Sequence, residues 1–158
     1  MKTKILSLIL LAVLAASCKS TEQKNPDKNQ EQSETSADFD QSITNKYWKL
    51  VKLEGQEVKM AENQERERYF KLKTEENRVQ GFSGCNTFSG SYTLEKGMRI
   101  GFSQMASTMK ACPDVNVDES AFLKVFELTD NYTINDDTLR LNVGRRAPLA
   151  VFEAVYFD

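Results

Sequence analysis

The sequence predicts a mainly β, α+β domain: a small, partly open antiparallel β-barrel with one helix packed against it. Three observations in the 158-residue chain lead there. From residue 46 onward, short runs of apolar and polar residues recur between turn signals, about eight in all, at the spacing of a meander in a sandwich or barrel. A single segment, near residues 118–129, carries helical spacing instead. Between them, Gly81 to Tyr92 reads G-F-S-G-C-N-T-F-S-G-S-Y, the densest concentration of backbone-shaping residues in the chain.

The elements follow in order. Tyr47 to Leu53 alternates as a strand does, and Glu54-Gly55-Gln56 supplies a turn. Met60 to Glu67 is charged and without a clear face, so it is loop or short helix. Tyr69 to Leu72 and then Arg78-Val79 read as strands separated by Thr-Glu-Glu-Asn. In the next stretch Gly81, Gly84 and Gly90 can take positive φ or admit a neighbouring backbone, and Asn86 tolerates the left-handed region. That is the chemistry of a tight turn or bulge, with Phe88 and Tyr92 resuming alternation. Ser91 to Leu94 and Met98 to Phe102 flank a Glu95-Lys96-Gly97 turn. For the helix, Asn116 or Asp118 can cap and Glu119 sits three residues after Asn116, as in a capping box. Phe122, Val125, Phe126 and Thr129 keep helical spacing, and Leu123 and Leu128 broaden the apolar face. Tyr132 to Ile134 and Leu139 to Val143 form a hairpin around Asn135-Asp136-Asp137, and Leu149 to Phe157 is the apolar final strand.

The first residues read as an address. Met1 to Lys4 is positive, and residues 5–17 are an apolar run ending in small residues, too short to span a bilayer. Ala15-Ala16-Ser17-Cys18 resembles a bacterial lipobox, with Ala15 where leucine is usual and Leu14 one place earlier. An ordinary signal peptide with an incidental cysteine is the alternative. If Cys18 is lipidated, acyl chains of the palmitate kind anchor the chain at about 0.8 kcal/mol per buried CH₂. Lys19, where inner-membrane retention places Asp, points to the outer membrane. The expected division is therefore a signal peptide over 1–17, lipidated Cys18 with a disordered tether over 18–45, and a folded domain over 46–158. The tether is almost wholly polar, and only Phe39 and Ile43 could join a core.

Composition excludes several functions. The chain contains no histidine, which rules out Ser-His-Asp and Cys-His catalysis and His-containing zinc sites. A net charge of −2 and the absence of a basic stripe argue against nucleic acid. Three motifs look like chemistry. Ser107-Thr-Met-Lys110 matches the S-x-x-K of penicillin-interacting enzymes, but its companions S-D-N and K-T-G are absent and no helix opens at the serine. Asp114-Val-Asn116-Val-Asp118 has the first three spacings of a calcium loop. Glu119 and Val125 stand where that loop needs Gly and a bidentate Glu, so helix capping is the better account. The glycine-rich stretch lacks both phosphate-loop spacings. No cofactor and no metal are expected. Cys85 and Cys112, in one small domain bound for an oxidising compartment, are expected to pair; a redox-active pair would favour C-x-x-C.

An ordered set of residues resembles the META domain of the HslJ heat-shock family. It comprises Trp48, Leu50, Gly81-Phe-Ser-Gly-Cys-Asn86, Gly90-x-Tyr92, Ser107 to Cys112, Glu119, Phe122 and Leu128, continued by Tyr132-x-Ile134 and Leu139-x-Leu141. The family's T-x-M-A-C segment aligns from either Thr108 or Ser107, which leaves the role of the hydroxyl open. The resemblance implies a partly open barrel with a helix, secreted or lipid-anchored, associated with heat stress, novobiocin resistance and, in some pathogens, virulence or motility. It implies no catalytic residue. In outline the barrel is also similar to pilot lipoproteins that bind lipid or escort secretion-channel subunits. The expected function is that of a non-catalytic, monomeric envelope lipoprotein that aids stress or antibiotic tolerance by binding a protein or membrane partner. The alternatives are a carrier of an apolar ligand in the barrel, a pilot-like chaperone and, behind these, a protease inhibitor.

Overall fold

The computed structural model describes residues 43–157; the signal peptide, Cys18 and the tether as far as residue 42 lie outside the described residues. Among the described residues, nine strands and one complete α-helix form, with a short 3-10 turn at Glu75–Asn77, in the order β1 (Tyr47–Leu53), β2 (Gln56–Glu57), β3 (Tyr69–Lys73), β4 (Arg78–Phe82), β5 (Thr87–Glu95), β6 (Arg99–Ser107), α1 (Glu119–Leu128), β7 (Asn131–Asn135), β8 (Thr138–Asn142) and β9 (Ala150–Val155). Each strand pairs antiparallel with its neighbour in the sheet, and β1 also pairs with β9, which closes an eight-stranded barrel. The two-residue β2 hangs on the free part of β1 as an extra strand.

The ring is weakest between β6 and β7. Their ladder is a single pair, Arg99 with Asn131, supplemented by Tyr132 N–H donating to the Met98 carbonyl at 2.9 Å. The chain leaves β6, crosses residues 108–118 and enters α1 before returning as β7, so the helix occupies the place where further rungs would be. The predicted partly open barrel is this closed ring with one thin seam.

Alternation decides which residues fill it. Trp48 and Leu50, Phe70 and Leu72, Leu139 and Leu141, and Ala150 and Phe152 point inward and are buried. From the helix, Phe122, Val125 and Phe126 join them. The Phe126 ring meets Phe70 at 5.4 Å, Phe88 at 5.0 Å and Phe102 at 5.0 Å between centroids, mostly edge to face. Aromatic side chains thus occupy the interior where a carrier would hold its apolar ligand.

Some expectations need adjustment. Packing begins before residue 46: Ile43 is fully buried, and its carbonyl accepts the Trp48 Nε1–H at 2.8 Å. Met60 to Glu67 is irregular loop, the first of the two readings its sequence left open. Strand β5 starts at Thr87, earlier than the apolar pattern suggested, because its Ser and Gly positions pair with β4 and β6 without needing side-chain bulk. Leu128 is 43 % exposed, and Tyr156 and Phe157, past the end of β9, are 63 % and 70 % exposed. A run of apolar residues does not say where the partner strand ends.

Candidate functional site

The chemistry-bearing residues converge at one end of the barrel, where the β4–β5 turn meets the start of α1. Strand β4 ends at Phe82, and Ser83 to Asn86 reverse the chain, with Ser83 N–H donating to the Asn86 carbonyl at 2.8 Å. Gly84 takes φ +127°, a conformation that other residues rarely adopt. A Cβ there would also come within 2.6 Å of Val117 Cγ1. Of the other glycines in the stretch, Gly81 lies in β4 and Gly90 in β5. Both serve close approach: a Cβ would come 2.5 Å from Phe88 Cζ at Gly81 and 2.9 Å from the Ser103 carbonyl oxygen at Gly90.

Asn86 is not among the residues with positive φ, contrary to the backbone role its type suggested. Its side chain is the hub instead. The amide oxygen accepts from Thr108 Oγ1 at 2.8 Å and from Lys110 N–H at 2.7 Å. The amide nitrogen donates to the Lys110 carbonyl at 3.2 Å and to Glu119 Oε2 at 2.8 Å. Buried, Asn86 has both ends of its amide engaged.

Glu119 supplies the second half. Asp118 caps α1, accepting from Ala121 N–H at 3.1 Å, so Glu119 is the first helical residue. Its carboxylate points away from its own helix, and the capping box with Asn116 does not form. One oxygen accepts from the Cys85 N–H at 3.0 Å, the Asn86 N–H at 2.7 Å and the buried Ser83 hydroxyl. Burial raises the pKa of this carboxyl, but the bonds from Ser83, the Asn86 side chain and the two backbone N–H groups outweigh it and hold the value below normal. Cys85 and Cys112 are joined by a disulfide with Cα atoms 6.1 Å apart, which ties the turn to residues 108–118. Tyr92 extends the order along β5: its ring is buried and its hydroxyl donates to the Lys73 carbonyl at 3.1 Å.

The S-x-x-K pair is spent on backbone. Ser107 Oγ donates towards the Thr87 and Thr108 carbonyls at 3.2 and 3.1 Å, and Lys110 takes part through its main chain. Both hydroxyls of the ambiguous alignment therefore have work, and Thr108 is the one that meets Asn86. Asp114, Asn116 and Asp118 do not assemble a calcium loop. Among the described residues no group of three His, Cys, Asp or Glu side chains is placed to hold a metal ion. Sequence reading missed the carboxylate of Glu119 and the amide of Asn86 as partners across 33 residues. The only available signal was their joint presence in one family pattern.

A closed antiparallel barrel with one helix beside its seam, its β4–β5 turn buckled to the start of that helix by a disulfide and a buried amide–carboxylate pair, defines a small mainly β domain. The chain belongs to the META domain family, which matches residues 41–156 and agrees with the HslJ resemblance. The META domain is not a known enzyme family. No curated protein matches the chain. Among solved structures it is similar to the NMR structure of a protein from Burkholderia xenovorans, at 21% identity and TM-score 0.57, covering 89% of this chain and 99% of that one. A second NMR structure matches at 17% identity and TM-score 0.54, covering 72% of this chain and 92% of that one. At these identities the likeness speaks for the fold alone.

Proposed function

We propose that this protein is a non-catalytic, lipid-anchored envelope protein of the META/HslJ type that acts by binding a protein or membrane partner in stress or antibiotic tolerance. The observation that carries the non-catalytic part is the clasp itself. An enzyme keeps its acid, base or nucleophile poised towards substrate. Here Glu119, Asn86, Ser83 and Thr108, the polar groups gathered at one place, direct their hydrogen bonds to each other and to the backbone. Support for anchoring is the Ala15-Ala16-Ser17-Cys18 lipobox and the apolar run before it. The outer membrane is the destination favoured by Lys19.

Three experiments test this. Cys18→Ser is expected to move the protein from the membrane fraction to the soluble envelope fraction; retention in the membrane overturns the anchoring. In-cell crosslinking through residues on the outer wall, followed by identification of the captured species, is expected to yield a defined envelope protein. A hydrolase or redox activity lost on Cys85→Ser, in a variant that circular dichroism shows to be folded, overturns the non-catalytic reading.

A further inference from the structure

On the outer wall of the barrel, β3, β4, β5 and β6 carry an open groove of about 530 Å³. That lies within the range of small-ligand sites, about 300–1,000 Å³. Strand register builds its middle: Gln80 stands opposite Ser89, and Ser89 opposite Ala106, in one row across three strands. Tyr69, Thr87 and Thr108 line it as well, and none of the lining residues is charged. Lys71, opposite Gln80 on the next strand, holds its ammonium over the Tyr47 and Phe157 rings instead, 5.1 and 5.8 Å from their centroids.

The lining has two kinds of surface. The Gln80 amide and the Ser89 hydroxyl have no hydrogen-bond partner among the described residues, so each offers a donor and an acceptor outward. Tyr69 is a fixed ring. It stacks on Tyr47 with centroids 4.1 Å apart and planes 18° off parallel, and Tyr47 is itself held by the Phe157 edge at 5.1 Å and by donating to Glu67 at 3.1 Å. Tyr47 covers one face of Tyr69, Arg66 meets its hydroxyl, and Tyr69 is among the residues that line the groove.

No lining residue carries a charge, and Arg66, which meets the Tyr69 hydroxyl, is paired with Glu65, while a purely apolar ligand would strip water from amides and hydroxyls without replacing their bonds. A ligand that suits them is neutral, rich in hydroxyl or amide groups, and carries polarised C–H faces that the negative face of an aromatic ring attracts. We propose that this groove binds a neutral saccharide chain, with Tyr69 as the stacking platform and Gln80 and Ser89 as the hydrogen-bonding floor. The site is independent of the anchoring and of the partner argued above.

The test is titration of the ¹⁵N-labelled full chain in detergent micelles with maltohexaose, with the N-acetylglucosamine hexamer and, as an anionic counterpart, with hexagalacturonate. At least one neutral oligosaccharide is expected to shift the amides of Gln80, Ser89 and Ala106 saturably, and hexagalacturonate is expected to bind more weakly. Tyr69→Ala is expected to weaken binding by up to about tenfold. Tyr69→Phe keeps it. Gln80→Ala, at an exposed position that does not threaten folding, weakens it as well. The proposal is overturned if neither neutral oligosaccharide saturates at these amides, if hexagalacturonate binds more tightly, or if Gln80→Ala and Tyr69→Ala leave the affinity unchanged.

Discussion

Replacing Glu119 with alanine tests the clasp directly. Four donors converge on this carboxylate: the Ser83 hydroxyl, the Cys85 and Asn86 N–H groups, and Asn86 Nδ2. They are not equal losses. Ser83 Oγ also reaches the Asn86 carbonyl at 2.9 Å and keeps that acceptor. Cys85 is only half-buried, so water can replace its partner. The buried Asn86 N–H becomes an orphan, at about 1–3 kcal/mol, and the second proton of its amide is left with the weak Cys85 Sγ acceptor at 3.5 Å, at about 1 kcal/mol more. Glu119→Ala should therefore destabilise the domain by about 2–4 kcal/mol. Glu119→Gln should cost less, because its amide oxygen can still serve the three donors on Oε1 while its NH₂ group opposes Asn86 Nδ2. Urea unfolding followed by fluorescence of the single, buried Trp48 measures both. At a slope of about 2 kcal/mol/M, the midpoint of Glu119→Ala falls by about 1–2 M. The sign with pH follows from the lowered folded-state value. Such a carboxylate contributes stability that is full above the ordinary 4.5 and is lost as pH falls through the folded value. The gap between wild type and Glu119→Ala should be complete at neutral pH and close in acid. A midpoint within about 0.3 M of wild type, or a gap that widens in acid, refutes the reasoning.

The other expectations concern the same buckle and the core behind it. Reducing the Cys85–Cys112 bond, or replacing both residues with alanine, should remove about 3–4 kcal/mol in the chain-entropy account of a closed loop with sequence separation 27, read as the urea midpoint with and without reductant. Gly84→Ala should cost about 1–3 kcal/mol through strain at positive φ and the clash with Val117, and Val117→Ala in the same chain should recover part of it. Full recovery would mean that the clash alone mattered. Phe126→Ala should be the most damaging core change, about 3–5 kcal/mol, since its ring touches Phe70, Phe88, Phe102 and Phe122; thermal unfolding followed by circular dichroism checks it.

Local rules read most of the barrel correctly because they act over a few residues. Alternation at Trp48/Leu50, Phe70/Leu72 and Leu139/Leu141 set the inward face, and Asp118 followed by Phe122, Val125 and Phe126 set the helix and its buried side. The turn at Gly84 was legible because positive φ leaves a compositional mark. Leu128, Tyr156 and Phe157 misled for the complementary reason: an apolar side chain declares a preference, and only a neighbour can bury it.

By itself the sequence determined a mainly β domain with one helix, the place of its sharpest turn, and the absence of histidine chemistry. Only the tertiary structure decided that the barrel closes through β1 and β9, that β6 and β7 share a single rung, and that α1 stands beside that gap. It alone turned Glu119 from a presumed partner of its own helix into the acceptor for a turn 33 residues earlier, and Asn86 from a backbone residue into a hydrogen-bonding hub. The physical reason is that φ preferences and periodicity are properties of a short segment. A buried amide or carboxylate, by contrast, takes its role from whichever donors the fold brings within about 3 Å.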